Sequence, residues 1–498
     1  MSDVVFVFPR TGLDVGGTRS PPYGLLYAAS MLHTESYKVR IIDQRFEDAE
    51  KELKKELEKS PHCVGMSAMT GPQIRFGLEL AALVKENSEI PVIWGGMHST
   101  LLPQQTIEHP LIDIAVRGEG EYTFYELVKA IEQNSDFKDI LGIVYKNNGN
   151  IIHNPDRPLI DLRNTPDIPW NLIDVERYIY NEFYLDGSPR TLDIGETSRG
   201  CIYRCAFCYL TNPATRGRVW RAMPADKVIE RIRFLVEKYR LTGMWIRDDS
   251  FFVDINRVKE ICEGISDLDV KWHTSGTTIP EFNRANNETV AAIKKSGCHS
   301  LKFGAESGSD RVLEMIDKPQ RREDIVKANL KCKEYDIVPS FSFIIGFPGE
   351  TYEEMLETVK LTQQLRKDNP DVHIEGLNIF SPFYDTSLYQ FIKEKYGIED
   401  EPKTLEEWAT RYFYGDAHRI WFDEKMSEKI KNISDISSYI DSAPRVIRSS
   451  VNGVAKPFVV PMMLVAKKYY EFRWNRLMFG HDPTLKITRT IRKMWLGH

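Results

Sequence analysis

Short apolar runs of strand length recur along the first 150 residues: VVFVF (4–8), KVRIID (38–43), CVGMSAM (63–69), PVIWGG (91–96) and IDIAVRG (112–118). Several run apolar through successive positions, which suits strands covered on both faces. Helical patterns separate them at Tyr23–His33, Phe46–Lys59, Pro72–Glu86 and Glu121–Gln133. This alternation predicts βαβ units and a Rossmann-like, doubly wound parallel sheet over residues 1–150. Such sheets take ligands beyond the carboxyl ends of their strands. Gly95-Gly96 and Gly118-Glu119-Gly120-Glu121 fall at such ends, where they also suit tight strand-to-helix turns.

Residues 151–190 are dotted with prolines, weakly periodic, and read as a linker. From 191 to 385 the alternation returns. TLDIGET (191–197), GMWIRDD (243–249), VKWHTSG (270–276), SLKFGAES (300–307), PSFSFIIG (339–346) and IEGLNIF (374–380) are strand candidates. Periodic helices such as Ala225–Tyr239 and Arg322–Tyr335 lie between them. Six strands with five helices predict a partial (β/α)6 barrel, with chemistry at the C-terminal strand ends. Residues 386–498 read as a mostly α-helical C-terminal domain. The expected fold class is α/β, with these helices appended.

The length of 498 residues agrees with about three domains at roughly 100–200 residues each. Hydrophobic residues at 42% and charged residues at 28% exclude a disordered, fibrous or multi-spanning chain. No apolar run reaches the roughly 18 residues of a membrane span, and MSDVVFVFPR reads as a first strand and not a signal peptide. The chain is net acidic at −6, but from Lys456 onward five lysines and four arginines face only Glu471 and Asp482. There KKYYEFRWNRLMF (467–479) and KITRTIRKMWLGH (486–498) interleave bases with aromatics. That pattern favours a membrane surface or lipid-like substrate over nucleic acid; a helix packed on an acidic body remains the plainer alternative.

Seven cysteines are too few for a disulfide scaffold and suit a reducing cytoplasm. Three crowd into RGCIYRCAFCYL (199–210), where Cys201, Cys205 and Cys208 show Cys-x3-Cys-x2-Cys spacing. Three thiolates this close can share one metal centre. A structural zinc wants a fourth Cys or His nearby, yet the next candidates along the chain, Cys262 and His273, are distant. A four-iron cluster takes one ligand per iron, so three cysteines leave one iron open.

This motif resembles the radical S-adenosylmethionine (SAM) superfamily. The resemblance implies a [4Fe-4S] cluster on Cys201, Cys205 and Cys208, whose open iron binds SAM and reductively yields a 5′-deoxyadenosyl radical. Phe207 and Tyr209 match residues flanking the adenine. LKFGAESGSDRVLEMIDK (301–318) matches the segment in which Gly304 allows close approach and Glu306 accepts from the methionyl ammonium; pairing of Glu306 with Arg311 is the alternative. FIIGFPGET (343–351) places Gly346 near the adenine, and IRDDSFF (246–252) offers Asp248 or Asp249 as a contact or a helix cap. Thr274 and Ser275 end the next strand. Tyr384 is a catalytic candidate at the substrate mouth, or a loop residue packed on the C-terminal domain.

SAMTGPQ (67–73), IWGGMHSTLLPQ (93–104) and VRGEGEYTF (116–124) resemble the cobalamin-binding module that precedes many radical SAM domains. The matching loops hold Ser67, Met69, Thr70, Gly95, Gly96, His98, Gly118, Glu119 and Glu121. The usual Asp-x-His-x-x-Gly triplet is missing, so cobalamin is expected without a lower histidine ligand. No second cluster motif is visible, against the methylthio-transferring relatives. The resemblance implies methyl transfer to an unactivated carbon, with cobalamin and SAM as cofactors and a ferredoxin or flavodoxin as electron donor, in a monomer acting on a small or lipid-like substrate. The alternatives are a cobalamin-dependent cyclase, carbon–carbon coupling enzyme or oxidative modifier, and an iron–sulfur RNA-modifying protein.

Overall fold

The computed structural model describes residues 2–12, 19–182, 185, 187–215, 217–398, 401–410, 420–441, 456–480 and 482–485. The chain divides into two compact units. One is Met1–Tyr180 with Asn212–Gly217 and Ile398–Gly415; the other is Asn181–Thr211 with Arg218–Gly397 and Asp416–His498.

The first unit is built on β1 (Val4–Phe8), β2 (Val39–Asp43), β3 (Cys63–Ser67), β4 (Val92–Gly95), β5 (Ile114–Val116), β6 (Ile143–Asn147) and β7 (Asn150–His153). Their order is β2-β1-β3-β4-β5-β6-β7. The first five are parallel and the last two antiparallel. The order reverses between β1 and β3, which opens a crevice beyond their carboxyl ends. The strand cores are sealed, with Val4, Val5, Val7, Val64 and Trp94 fully buried. Gly65 on β3 permits this packing: a Cβ there would fall 2.6 Å from the Phe6 ring and 2.8 Å from the Phe124 ring.

The β6–β7 hairpin occupies a stretch that the sequence pattern assigns to the end of the domain and the linker. It turns on Asn148-Gly149, with φ of 49° and 82°, the pair of positive angles that a two-residue hairpin favours. A helix from much later in the chain, Leu405–Thr410, also belongs to this unit. Its Trp408 meets His98 edge to face at 5.9 Å and donates from Nε1 to Gln105 Oε1 at 2.8 Å.

The second unit contains β8 (Tyr180–Glu182), β9 (Ser188–Asp193), β10 (Ser198–Arg199), β11 (Arg221–Ala222), β12 (Gly243–Ile246), β13 (Lys271–Thr277), β14 (Cys298–Glu306), β15 (Val338–Ile345) and β16 (His373–Ile379). The main sheet runs β16-β15-β14-β13-β12-β9-β8. Strands β9 and β12 to β16 are parallel and follow sequence order, the curled half-barrel expected. Beneath the helices, Phe252, Phe282, Phe303 and Phe341 form a fully buried aromatic row with centroids 5.2–6.0 Å apart. Antiparallel β10 and β11 pinch the base of the excursion that carries the three cysteines.

Strand β16 would leave an open edge. The helix Glu424–Asp441 covers it, and Leu377 N donates to Ser437 Oγ at 2.8 Å. Gly376 faces this helix at φ 92°, a left-handed backbone that favours glycine. The helix Lys456–Asn475 stacks on this cover, Tyr470 on Tyr439 at 5.0 Å.

Overpacking a full core typically costs about 1–3 kcal/mol. Gly65→Ala is expected to lower the first unit's unfolding free energy by that amount, read as a lower urea midpoint; an unchanged midpoint would show that the two phenylalanine rings can yield.

Candidate functional site

The cysteine loop is held at both ends by two adjacent carboxylates that follow β12. Asp248 is buried and accepts from Thr197 N at 2.5 Å, Thr197 Oγ1 at 2.8 Å and Ser198 Oγ. Burial pushes its pKa up, while Arg257 and these donors pull it down. Asp249 accepts from Gly200 N at 3.0 Å and from Tyr209 OH at 2.8 Å, on either side of the cysteines. Both oxygens of Asp248 are thus engaged in bracing the strand that enters the loop, and Asp249 clamps the loop itself.

Cys201, Cys205 and Cys208 are half-buried and unpaired, within electrostatic reach of one another. Burial raises all three thiols, Cys208 to about 12, while the Lys318 ammonium draws them down. Among the described residues, no group of three or more His, Cys, Asp or Glu could hold one metal ion. A structural zinc would want a fourth Cys or His beside the three thiols. A four-iron cluster, which spreads its ligands over separate irons, suits the trio better. Further anchors are Tyr203 OH on Glu281 and Ala206 N on Ile316 O at 2.8 Å.

Glu306 ends β14 in a left-handed conformation, φ 61°, where the pairing with β15 slips between Gly304 and Glu306. Such strain persists where the surroundings over-determine it, and clusters at functional sites. Lys318 Nζ donates to Glu306 Oε1 at 2.9 Å, and Gln320 Nε2 holds the Gly304 and Ala305 carbonyls at 3.1 and 3.0 Å. Burial alone would lower the Lys318 pKa; the Glu306 carboxylate and the thiols more than reverse this. Arg311 instead forks onto Glu354, with Nη2 at 2.6 Å from Oε2. A Cβ on Gly304 would sit 2.3 Å from Glu306 Oε1, so glycine is what leaves this carboxylate room.

Phe207 lies 5.7 Å from Phe347, beside the Gly346 turn. Gly346, at φ 82°, donates from N to Glu350 Oε2 at 2.6 Å and accepts from Trp421 Nε1 at 3.1 Å. Burial pushes Glu350 up to about 8. Thr274 is buried and takes the Gly276 amide at 3.2 Å; Ser275 is half-buried beside it. Tyr384 rests against Tyr389 at 5.3 Å, while its neighbour Phe383 faces Tyr209 at 6.1 Å.

In the first unit, three loops meet at the carboxyl ends of β3, β4 and β5. Ala68 N donates to Gly95 O and His98 N to Ala68 O, at 2.9 and 3.0 Å. Thr100 Oγ1 donates to Gly96 O and receives Gly118 N, both at 2.9 Å. Gln73 joins the β1 and β3 ends, accepting from Met69 N at 2.8 Å and donating to Pro9 O at 3.0 Å. The arrangement gathers Ser67, Met69, Thr70, Gly95, Gly96, His98 and Gly118. Met69 is exposed and Gly118 has open space around it, which leaves room for a flat ligand. His98 is buried, with Nδ1 2.9 Å from Thr70 Oγ1 and Nε2 lacking a partner. Burial lowers its pKa to about 4, so the ring is neutral. Glu119 turns to Ile160 N at 2.9 Å, and Glu121 is buried in the first turn of the helix Gly120–Glu132. Thr100, Gln73 and Lys318 lie inside the motifs quoted above, yet no spacing rule marks their side chains.

Comparison with known proteins finds relatives for both units. The Radical SAM superfamily model matches residues 196–362 and the B12 binding domain model matches 9–128. The chain is 36% identical over 403 residues to the uncharacterized methyltransferase PH0819 of Pyrococcus horikoshii, covering 78% of this chain and 82% of that one. It is 29% identical over 419 residues to the anaerobic magnesium-protoporphyrin IX monomethyl ester cyclase of Rubrivivax gelatinosus, covering 80% and 72%. Among solved structures, the cobalamin-dependent S-adenosylmethionine radical enzyme OxsB, with aqua-cobalamin and S-adenosylmethionine bound, superposes with a TM-score of 0.73 at 17% identity, covering 99% of this chain and 75% of that one. This last likeness is one of fold.

Asp248→Ala leaves two buried hydroxyls and an amide without their acceptor. It is expected to destabilise the second unit by at least about 1–3 kcal/mol, read from urea unfolding; a neutral effect would mean that the brace is dispensable. A second expectation concerns pH. The unfolded chain protonates His98 near its ordinary 6.5 and the folded one near 4, so the unfolded state binds the proton first as pH falls. This contribution to stability is fully present above about 6.5 and is lost towards 4. The first unit's melting temperature should fall over that interval, less steeply in His98→Gln; an identical slope in the variant would assign the effect to other groups.

Proposed function

We propose that this chain, which belongs to the cobalamin-binding radical SAM family, transfers a methyl group to an unactivated carbon of a small or lipid-like molecule. The observation that carries the reading is the trio of half-buried thiols on one clamped loop, close to a strained carboxylate at the end of β14. Cys201, Cys205 and Cys208 would hold three irons of a [4Fe-4S] cluster. Glu306 would accept from the SAM ammonium in a short, charge-assisted hydrogen bond. Phe207, Tyr209 and the Gly346 turn would border the adenosine. Ser67, Met69, Thr70, Gly95, Gly96, His98 and Gly118 would carry the corrin, and the unpartnered His98 Nε2 suits a buried polar contact. When bound, the cluster with SAM supplies a hydrogen-abstracting 5′-deoxyadenosyl radical and cobalamin carries the methyl group. The protein's part is placement, dryness and electrostatics.

The family models at 9–128 and 196–362 support a cobalamin domain at 1–150 and a radical SAM domain at 191–385; a linker at 151–190 and a helical C-terminal domain at 386–498 are proposed beside them. The name of the 36%-identical relative supports methyl transfer. The 29%-identical cyclase supports a second reading, in which the same cofactors act without methyl transfer. A ferredoxin or flavodoxin is proposed as reductant.

After anaerobic reconstitution with cobalamin, methyl-labelled SAM is expected to label the extractable corrinoid and to yield 5′-deoxyadenosine. Alanine at Cys201, Cys205 or Cys208 should reduce bound iron and deoxyadenosine release to background. Undiminished release in such a variant removes the radical reading. Release without corrinoid labelling leaves it standing and favours the cyclase-like one.

A further inference from the structure

The helix Lys456–Asn475 presents two faces of opposite character. On one, Tyr470 and Trp474 are each 1% exposed, and Arg473 is locked to Asp482. That face packs inward, with Tyr470 on Tyr439 and the Trp474 carbonyl receiving Gln363 Nε2 at 2.8 Å. The other face carries Val465, Tyr469, Phe472 and Arg476, at the i, i+4, i+7 and i+11 spacing of one stripe. Val465 is 70% exposed, Phe472 47%, Tyr469 43% and the adjacent Leu464 41%. Lys468 is exposed on the same arc, and the Arg476 guanidinium lies 4.0 Å over the Phe472 ring. Among the described residues no carboxylate interrupts this arc: Glu471 lies off it, 3.6 Å from Lys467.

The most exposed side chain, Val465, and its neighbour Leu464 are aliphatic and offer neither a stacking face for bases nor a donor for phosphates, which disfavours nucleic acid. Among the described residues none covers the stripe, and the opposite face anchors the helix. Apolar side chains flanked by cations, with no acid among them, match a boundary between acyl chains and anionic headgroups. We propose that this face docks the protein on an anionic lipid surface, with Val465, Tyr469 and Phe472 entering the headgroup region and Lys468 and Arg476 meeting the phosphates. The proposal stands apart from the methyl-transfer reading and survives its failure.

The test uses the full chain and vesicles of phosphatidylglycerol or phosphatidylcholine in co-sedimentation. Retention on phosphatidylglycerol should exceed that on phosphatidylcholine roughly tenfold or more and fall with added salt. The double variant Val465→Ser, Phe472→Ser should lose retention on both vesicles. Lys468→Glu with Arg476→Glu should lose the preference for phosphatidylglycerol. All four positions are exposed, so thermal melts of both variants should match the parent. No retention on phosphatidylglycerol, or equal retention by the serine variant, overturns the proposal. So does a dimer in light scattering that the serine variant dissolves, because the stripe would then cover a second copy.

Discussion

A carboxylate shut away from water must be met by donors, and Asp248 turns that requirement into geometry, with the half-buried Asp249 beside it. An unmet buried charge costs far more than any single hydrogen bond returns. The donors that satisfy Asp248 are Thr197 and Ser198, at the entry to the cysteine loop. Those on Asp249 are Gly200 and Tyr209, which bracket the cysteines. The loop is therefore tied to the end of β12 by groups that cannot be released cheaply.

The end of β14 is arranged on the same logic. Its slipped pairing and the left-handed Glu306 would relax if left alone. Gln320 holds the two preceding carbonyls, Lys318 holds the carboxylate, and both residues sit in a turn that receives the Ala206 amide from the cysteine loop. Loop, turn and strand end thus secure one another. Local strain at the place where chemistry is expected is maintained by packing some residues away.

Much of this was legible in the sequence, because the strands of a covered parallel sheet are apolar and their helices amphipathic. The five runs before residue 120 and the six after 190 all appear as strands, their ends shifted by a few residues in either direction. The Cys-x3-Cys-x2-Cys spacing needs no tertiary information. What the pattern hides is partner choice. Arg311 and Lys318 are both basic residues shortly after Glu306, and only the fold decides that Lys318 reaches it. Asp248 and Asp249 are indistinguishable neighbours in the chain, yet one is a brace and the other a clamp. The return of Trp408 to His98 joins residues some three hundred positions apart, and no local period encodes it. The Asn148-Gly149 turn is different: its signal was present and local, but masked by the prolines that follow. The basic segment 486–498 lies outside the described residues.

The helix laid along β16 has a further consequence for how such a gene can change. Residues after 380 fall beyond both matched domain models, which makes them look like an optional appendage. Yet Ser437 fills a hydrogen-bonding position that an adjoining strand would otherwise supply, beside the left-handed Gly376. A shuffling event that swapped the tail alone would strip the sheet's flank and invite edge-to-edge association. Half-barrel and cover are thereby constrained to be inherited together, leaving diversification to the turns between strands and to the outward side of the tail.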